Sequence, residues 1–225
     1  ALDYDHTEAS FADATSSRLD AYQAAAYVGW KDGPWYLNGL VGAGFDEFST
    51  SRALSSFGLP GTASSKPVGE TYFLSGEAGY RFIAGGATLT PYFGEALTHT
   101  GINGFTESGG FGALAVRPGT SDSFETTFGL RASSEVTIGD HIKLTPELRL
   151  GYQVQFLDAA QSLDASLGNL PFTATGANFG RNTALVGLGV TSNLNGSTRL
   201  FLDYDGRITG GLQEHALSAG VLVKF

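Results

Sequence analysis

The sequence predicts an all-β protein, an antiparallel up-and-down transmembrane β-barrel with ten strands in view. Apolar residues recur at every second position through ten segments, most of them 12 to 16 residues long, and no segment carries the i, i+3, i+4, i+7 stripe of an amphipathic helix. Strands of water-soluble proteins have a mode of about 5 to 6 residues, whereas a tilted strand crossing a bilayer needs about 9 to 11 patterned residues. Short turn-forming connections alternate with long polar ones, which gathers the tight turns at one end of the barrel and the loops at the other.

The segments follow in order. Residues 1–6 are the first, cut short by the start of the chain, and the polar stretch Thr7–Ser17 leads into residues 18–30. That second segment ends in the longest apolar run, Ala24–Trp30, whose seven residues fall far short of the roughly 20 that a membrane helix needs. Lys31-Asp32-Gly33-Pro34 is a tight turn into residues 35–48; after Ser49–Gly69, residues 70–83 turn through Ala84-Gly85-Gly86-Ala87 into residues 88–99. Beyond Thr100–Ser123, residues 124–137 and 142–157 flank the turn Gly139-Asp140-His141. Here the alternation is strictest: Leu144, Pro146, Leu148, Leu150, Tyr152, Val154 and Phe156 oppose Thr145, Glu147, Arg149, Gly151, Gln153 and Gln155. Asp158–Phe179 precedes residues 180–193, which Leu194-Asn195-Gly196-Ser197 joins to residues 198–209; Phe201 sides with the polar positions of its segment. Gly210–Gln213 is the one short connection on the loop side, and residues 214–225 place Leu217, Ala219, Val221, Val223 and Phe225 on one face. Trp30, Trp35, Tyr80 and Phe82 flank the tight turns, where an interfacial girdle is expected.

Composition narrows the function. Thirteen Lys and Arg against 22 Asp and Glu leave a net charge of −9, the wrong sign for a nucleic-acid partner. Cys is absent, which removes disulfides, thiolate metal sites and Cys nucleophiles, and Met is absent even at position 1, so the chain is expected to be a processed or excised fragment. No basic and apolar leader opens it, so any signal peptide is expected upstream of residue 1. There are 32 glycines, about twice the usual share, repeated on the polar face of the segments. A soluble β-sandwich or lipocalin-like barrel is the competing fold, but its polar face would lie outside and would rarely need such glycines. In the membrane reading the glycines and polar groups line a narrow lumen.

The motifs GYRF (79–82), LTPYFG (89–94), FTESG (105–109), FGLRAS (128–133), LTPELRLGYQ (144–153), LFLDYDGR (200–207) and HALSAGVLVKF (215–225) together resemble the C-terminal translocator β-domain of autotransporters, the type V secretion proteins of Gram-negative bacteria. The resemblance implies a 12-stranded barrel threaded by a helix, of which residues 1–225 look like strands 3 to 12, without the first two strands and the pore helix. It implies a bacterial outer-membrane location, a monomer in contact with lipid, and a translocator that anchors an N-terminal passenger and helps to carry it to the cell surface as an unfolded hairpin, without ATP. It also implies that Phe225, with Val223, Val221, Ala219 and Leu217, is the signal read by the barrel-assembly machinery through strand addition.

Thirteen charged residues share the lumen-facing parity: Asp3, Asp5, Glu77, Arg81, Arg131, Glu135, Glu147, Arg149, Arg199, Asp203, Asp205, Arg207 and Glu214. Mixed signs there suit pairing across strands or with a plug helix; in some members of the family lumen carboxylates cleave the passenger. Glu95 falls on the lipid-facing parity, which a bulge, a position near the headgroups or a shifted register would explain. No zinc spacing, calcium loop or phosphate loop is present, so no metal or cofactor is expected. A stand-alone porin-like or scaffold barrel is the alternative reading. An outer-membrane rim protease or lipid-modifying enzyme is a further one, and it would require grouping of residues such as His6, Asp46 and His99, all at rim height.

Overall fold

The computed structural model describes residues 1–10, 15–139, 142–158, 160–194 and 197–223. In chain order its elements begin with β1 (Leu2–Ser10), β2 (Ser16–Asp32), β3 (Trp35–Ala53), a 3-10 turn (Leu54–Phe57), β4 (Thr62–Ser65), β5 (Val68–Tyr80), β6 (Phe82–Ala84), β7 (Ala87–Ile102) and β8 (Phe105–Thr106). They continue with β9 (Leu114–Val116), β10 (Gly119–Ser134), β11 (Val136–Ile138), β12 (Ile142–Gln155), β13 (Ser162–Leu167), β14 (Leu170–Thr175), β15 (Asn182–Asn193), β16 (Thr198–Thr209) and β17 (Gln213–Val223).

Ten long strands lie side by side as β1-β2-β3-β5-β7-β10-β12-β15-β16-β17, each antiparallel to the next, an up-and-down half-barrel. The registers are unbroken: β7 and β10 pair from Ala87↔Ser134 to Ile102↔Gly119 without a bulge. Because the period of two is never interrupted there, one parity stays on one face along both strands. The concave face is identified by reach. Arg131 on β10 hydrogen-bonds Tyr36 on β3 although β5 and β7 lie between them. Three strand spacings amount to about 14 Å, and two side chains close such a gap only from the inside of a bend.

The apolar parity occupies the convex face. Leu74, Leu150, Leu188 and Leu217 are 46% to 74% exposed, and the few buried apolar residues include Ala21, Tyr36 and Leu54. The accessible surface is 14310 Å², against about 9,800 Å² for a compact chain of 23.5 kDa. Such a chain has no interior to hide its leucines in, and they stand exposed on the convex face. No helix among the described residues is long and apolar enough to cross a membrane.

Aromatic pairs mark the edges of the apolar band. At the tight-turn end Trp35 stands edge-on to Tyr80 at 4.7 Å between centroids, and Tyr80 packs on Phe82 at 4.5 Å. Gly85 and Gly86 both adopt positive φ, 58° and 88°, the two-residue hairpin conformation that matches strand twist. Asp140, His141, Asn195 and Gly196, at the centres of two other expected turns, lie outside the described residues. The 17 residues of β2 rise by about 43 Å at about 3.3 Å each and a tilt of about 40°, against an apolar band of about 25 Å. The excess lies at the loop end, where the convex parity turns charged at Glu8, Arg18, Asp20 and Glu47.

The long connections, expected as polar loops, are built into the wall. β8, β9, β13 and β14 form a second sheet in the order β14-β13-β9-β8. Leu54, 1% exposed, is buried against Gly112. Arg52 pairs with Glu107, which also accepts the Leu114 N–H at 2.9 Å. Ser64 and Ser108 exchange two backbone hydrogen bonds of 2.8 Å. Residues 49–69 and 100–123 are thereby tied together. The main sheet itself ends at β1 and β17, whose outer edges pair with nothing among the described residues.

Candidate functional site

The candidate site is the concave wall. Its glycines explain themselves by what lies over them: Phe73 covers Gly42, Tyr36 covers Gly79, Tyr92 covers Gly129 and Phe201 covers Gly220, each so closely that a Cβ would stand 2.1 to 2.6 Å from the ring. Rings laid flat against the wall require glycine on the neighbouring strand.

Two charged clusters are built on this floor. In the first, Arg131 grips Glu77 with both ends of its guanidinium, at 2.8 and 2.7 Å. Tyr36 donates its hydroxyl to Glu77 at 2.8 Å and accepts from Arg131 at 2.7 Å, while the guanidinium sits 4.1 Å above the Tyr92 ring. In the second, Arg149 reaches Glu147 at 3.1 Å, Asp203 at 2.9 Å and Asp205 at 3.0 Å. It lies across Gly187 and Gly189, where a Cβ would meet Arg149 Nε at 2.5 Å and Asp203 Oδ1 at 2.5 Å. Arg207 extends the chain of contacts: it donates to Gln153 at 3.0 Å and pairs with Glu214 at 3.3 Å, and Gln153 donates to Glu125 at 2.9 Å. Bidentate and charge-assisted, these contacts hold the side chains along the wall rather than across the channel.

The remaining charges are placed as follows. Asp3 and Asp5 stand on the concave face of β1, where Thr7 donates to Asp5 at 3.4 Å. Arg81 and Glu135 lie at the tight-turn end, the one donating to Gly33 O at 2.9 Å and the other paired with Lys143 at 2.9 Å. Arg199 donates to Asn193 at 3.2 Å. Leu217, Ala219, Val221 and Val223 share the convex face of β17; Phe225 lies outside the described residues. Tyr36, Tyr92 and Glu125 belong to the clusters without having been expected there, although each has the concave parity, and Gln153, expected on the lumen face, joins them.

The rim residues His6, Asp46 and His99 are not brought together. His6 bonds Asp20 at 2.6 Å and His99 bonds Asp122 at 2.7 Å, both on the convex side, while Asp46 accepts from Thr71 at 2.9 Å on the concave side. His6 and Asp20 stand in the charged zone beyond the band, and their hydrogen bond raises the imidazole's pKa while His6, then Tyr4, lower that of Asp20. Among the described residues no three His, Asp or Glu side chains are grouped to hold a metal. Glu95 is convex and within the band; the register at β7 is regular, and Thr126 donates to its carboxylate at 3.1 Å.

An antiparallel wall with an apolar convex face and paired charges within is a β-barrel domain of the bacterial outer membrane. The chain belongs to the autotransporter β-domain family, whose model matches residues 1–205, and it is an outer-membrane translocator domain for passenger secretion. Two curated relatives, both named extracellular serine protease from Serratia marcescens, are 26% identical over 151 residues, covering 66% of this chain and 14% of their own length. The fold is similar to the translocator domain of the autotransporter NalP from Neisseria meningitidis, with a TM-score of 0.78, 18% identity, and coverage of 100% of this chain and 73% of that one. It is also similar to the β-domain of the Bordetella autotransporter BrkA, with a TM-score of 0.73, 18% identity, and coverage of 100% and 81%.

Proposed function

We propose that residues 1–225 are a single domain whose sheet is completed to a closed barrel by further strands along β1 and β17, and that an N-terminal passenger of this protein passes through its channel and stays anchored by it. The bare edges carry the reading: backbone N–H and C=O groups facing lipid have no partner there, so a membrane wall has to close. The concave charges suit a conduit. From β10 to β17 five cations, Arg131, Lys143, Arg149, Arg199 and Arg207, meet six carboxylates, Glu125, Glu135, Glu147, Asp203, Asp205 and Glu214. Such a wall is wet and near neutral, and its side chains are already paired with one another. A passing chain of either sign is neither gripped nor strongly repelled.

The domain itself performs no covalent chemistry in this reading, and its partners are outer-membrane lipid, its own passenger and the barrel-assembly machinery. The last of these reads the row Leu217, Ala219, Val221, Val223 and Phe225 during strand addition. Phe225→Ala tests it: synthesis is unchanged, but the folded, heat-modifiable form in outer membranes falls. Unaltered levels of folded barrel would refute the assembly signal.

A further inference from the structure

At the loop end the convex face becomes polar and continues onto the outer side of the loop sheet. β3 keeps one register from β5 through β4, which sets Lys66 opposite Ser49. Two convex rows cross the sheet here: Glu8, Arg18, Ser49 and Lys66, and beyond it Ser10, Ser16, Ser51 and Ser64. Ser64 passes the second row on to Ser108, their hydroxyls 3.4 Å apart. By the period of two Thr106 stands on the same side as Ser108, and across β9 and β13 so do Arg117, Asp164 and Ser166. Two adjoining hollows open on this face, of about 640 and 750 Å³. Thr106 lines both; Lys66 and the serines line the first, Arg117, Ser166 and Thr173 the second.

Lys66 and Arg117 decide what this groove can hold. Both are exposed, and among the described residues neither side chain has a partner, in a chain with nine more acidic than basic residues. The backbone N–H of Arg117 donates to Asp164 O at 2.9 Å, yet the two side chains form no ion pair. The Asp164 carboxylate accepts from Thr173 at 2.6 Å, and Glu8 is held by Arg18 at 2.6 Å. The groove's own carboxylates are therefore engaged, while two cations and a row of hydroxyls face outward. Ammonium and guanidinium groups suit phosphate, and hydroxyls that both donate and accept suit a polyol.

We infer that this groove seats the phosphorylated sugar headgroup of a lipid in the surrounding outer leaflet. The inference rests on the outer-membrane placement, with the long connections outside. Direction supports it: the convex face looks away from the channel, so what reaches it comes from the leaflet around the barrel. Height supports it too. Arg18 lies four residues beyond Tyr22 and Lys66 six beyond Tyr72, the aromatic edge of the band. At about 3.3 Å per residue and a tilt of about 40°, that is about 10 to 15 Å above the edge. An ordinary phospholipid headgroup layer is only about 5 to 8 Å thick, so a ligand that fills the groove reaches higher, as a headgroup built of sugars does. Lys66 and Arg117 take its phosphates and the serine row its hydroxyls.

The test measures binding of lipopolysaccharide, the phosphorylated glycolipid of that leaflet, to the closed barrel, residues 1–225 together with the strands that complete it, purified in mild detergent. Lys66→Gln with Arg117→Gln is expected to weaken binding about tenfold or more, and Ser16→Ala with Ser64→Ala several-fold. Lys31→Gln removes an equal charge at the tight-turn end and is expected to leave binding unchanged. Dephosphorylated lipopolysaccharide is expected to bind the cation variant and the unmodified barrel alike. The changed side chains are exposed, so each variant is expected to keep its heat-modifiable mobility. Equal binding by the cation variant and Lys31→Gln, or phosphatidylglycerol vesicles held as tightly as lipopolysaccharide, would overturn the groove and leave the outer-membrane placement standing. An unmodified barrel that does not fractionate with outer membranes would remove the placement, and the groove with it.

Discussion

Arginine placed at two neighbouring positions of β5 reports which face meets lipid. Leu74 is convex and 57% exposed; Ser75, the next residue, is concave and lines a cavity with Leu40, Tyr92 and Ala96. The aromatic residues Tyr72 and Tyr80 bracket the band on this strand. Eight residues at about 3.3 Å and a tilt of about 40° separate them by about 20 Å of height, which puts Leu74 about 5 Å from the centre. Leu74→Arg is therefore expected to lower the unfolding free energy by about 2 to 4 kcal/mol. Ser75→Arg enters a polar channel and is expected to change it by about 0.5 kcal/mol or less. Reversible denaturant unfolding of the closed barrel, residues 1–225 together with the strands that complete it, in lipid vesicles and followed by tryptophan fluorescence, measures both. Equal losses, or a larger one at Ser75, would mean that the faces are assigned the wrong way round.

Glu95→Leu removes a carboxylate from the lipid face and is expected to raise stability by about 1 kcal/mol, since acidic residues cost less than Arg or Lys there; a loss in the same unfolding assay would show that Glu95 is held by more than Thr126. Arg131→Ala leaves Glu77 without its bidentate partner on a half-buried wall and is expected to cost about 1.5 to 3 kcal/mol, with Tyr36→Phe adding less than its single-variant effect in the Arg131→Ala background; additive losses would dissolve the cluster into independent contacts. His6, whose pKa Asp20 raises, is expected to titrate above the ordinary histidine value by NMR in micelles and to return toward it in Asp20→Asn. The pair's contribution is complete below the unfolded histidine value and fades as pH rises through the raised one; at the acid end it is lost as pH falls through the lowered Asp20 value. A titration unchanged by Asp20→Asn would contradict the pairing.

The wall was legible because lipid on one side and water on the other impose a period of two over strands as long as 19 residues. The same parity places Tyr36, Tyr92 and Glu125 on the channel side, but aromatic rings carry no charge to mark them and Glu125 stands at the start of its segment. The loop sheet was not legible. β8 has two residues and β9 three, too few for any period, and the contact between Arg52 and Glu107 joins positions 55 apart in sequence. Glu95 shows the opposite case: its parity was legible, but the hydrogen bond from Thr126 on the adjacent strand, which makes the position tolerable, depends on a register that only the fold supplies.

Whether this domain carries a passenger across the outer membrane is decided by protease treatment of intact cells making the complete gene product, with and without residues 1–225. Upstream polypeptide is expected to be cleaved from outside when the domain is present, next to a protected, heat-modifiable barrel fragment, and to stay protected when the domain is removed. A folded barrel in the outer membrane whose upstream polypeptide remains inaccessible, or an upstream polypeptide that reaches the surface equally well without the barrel, would contradict it.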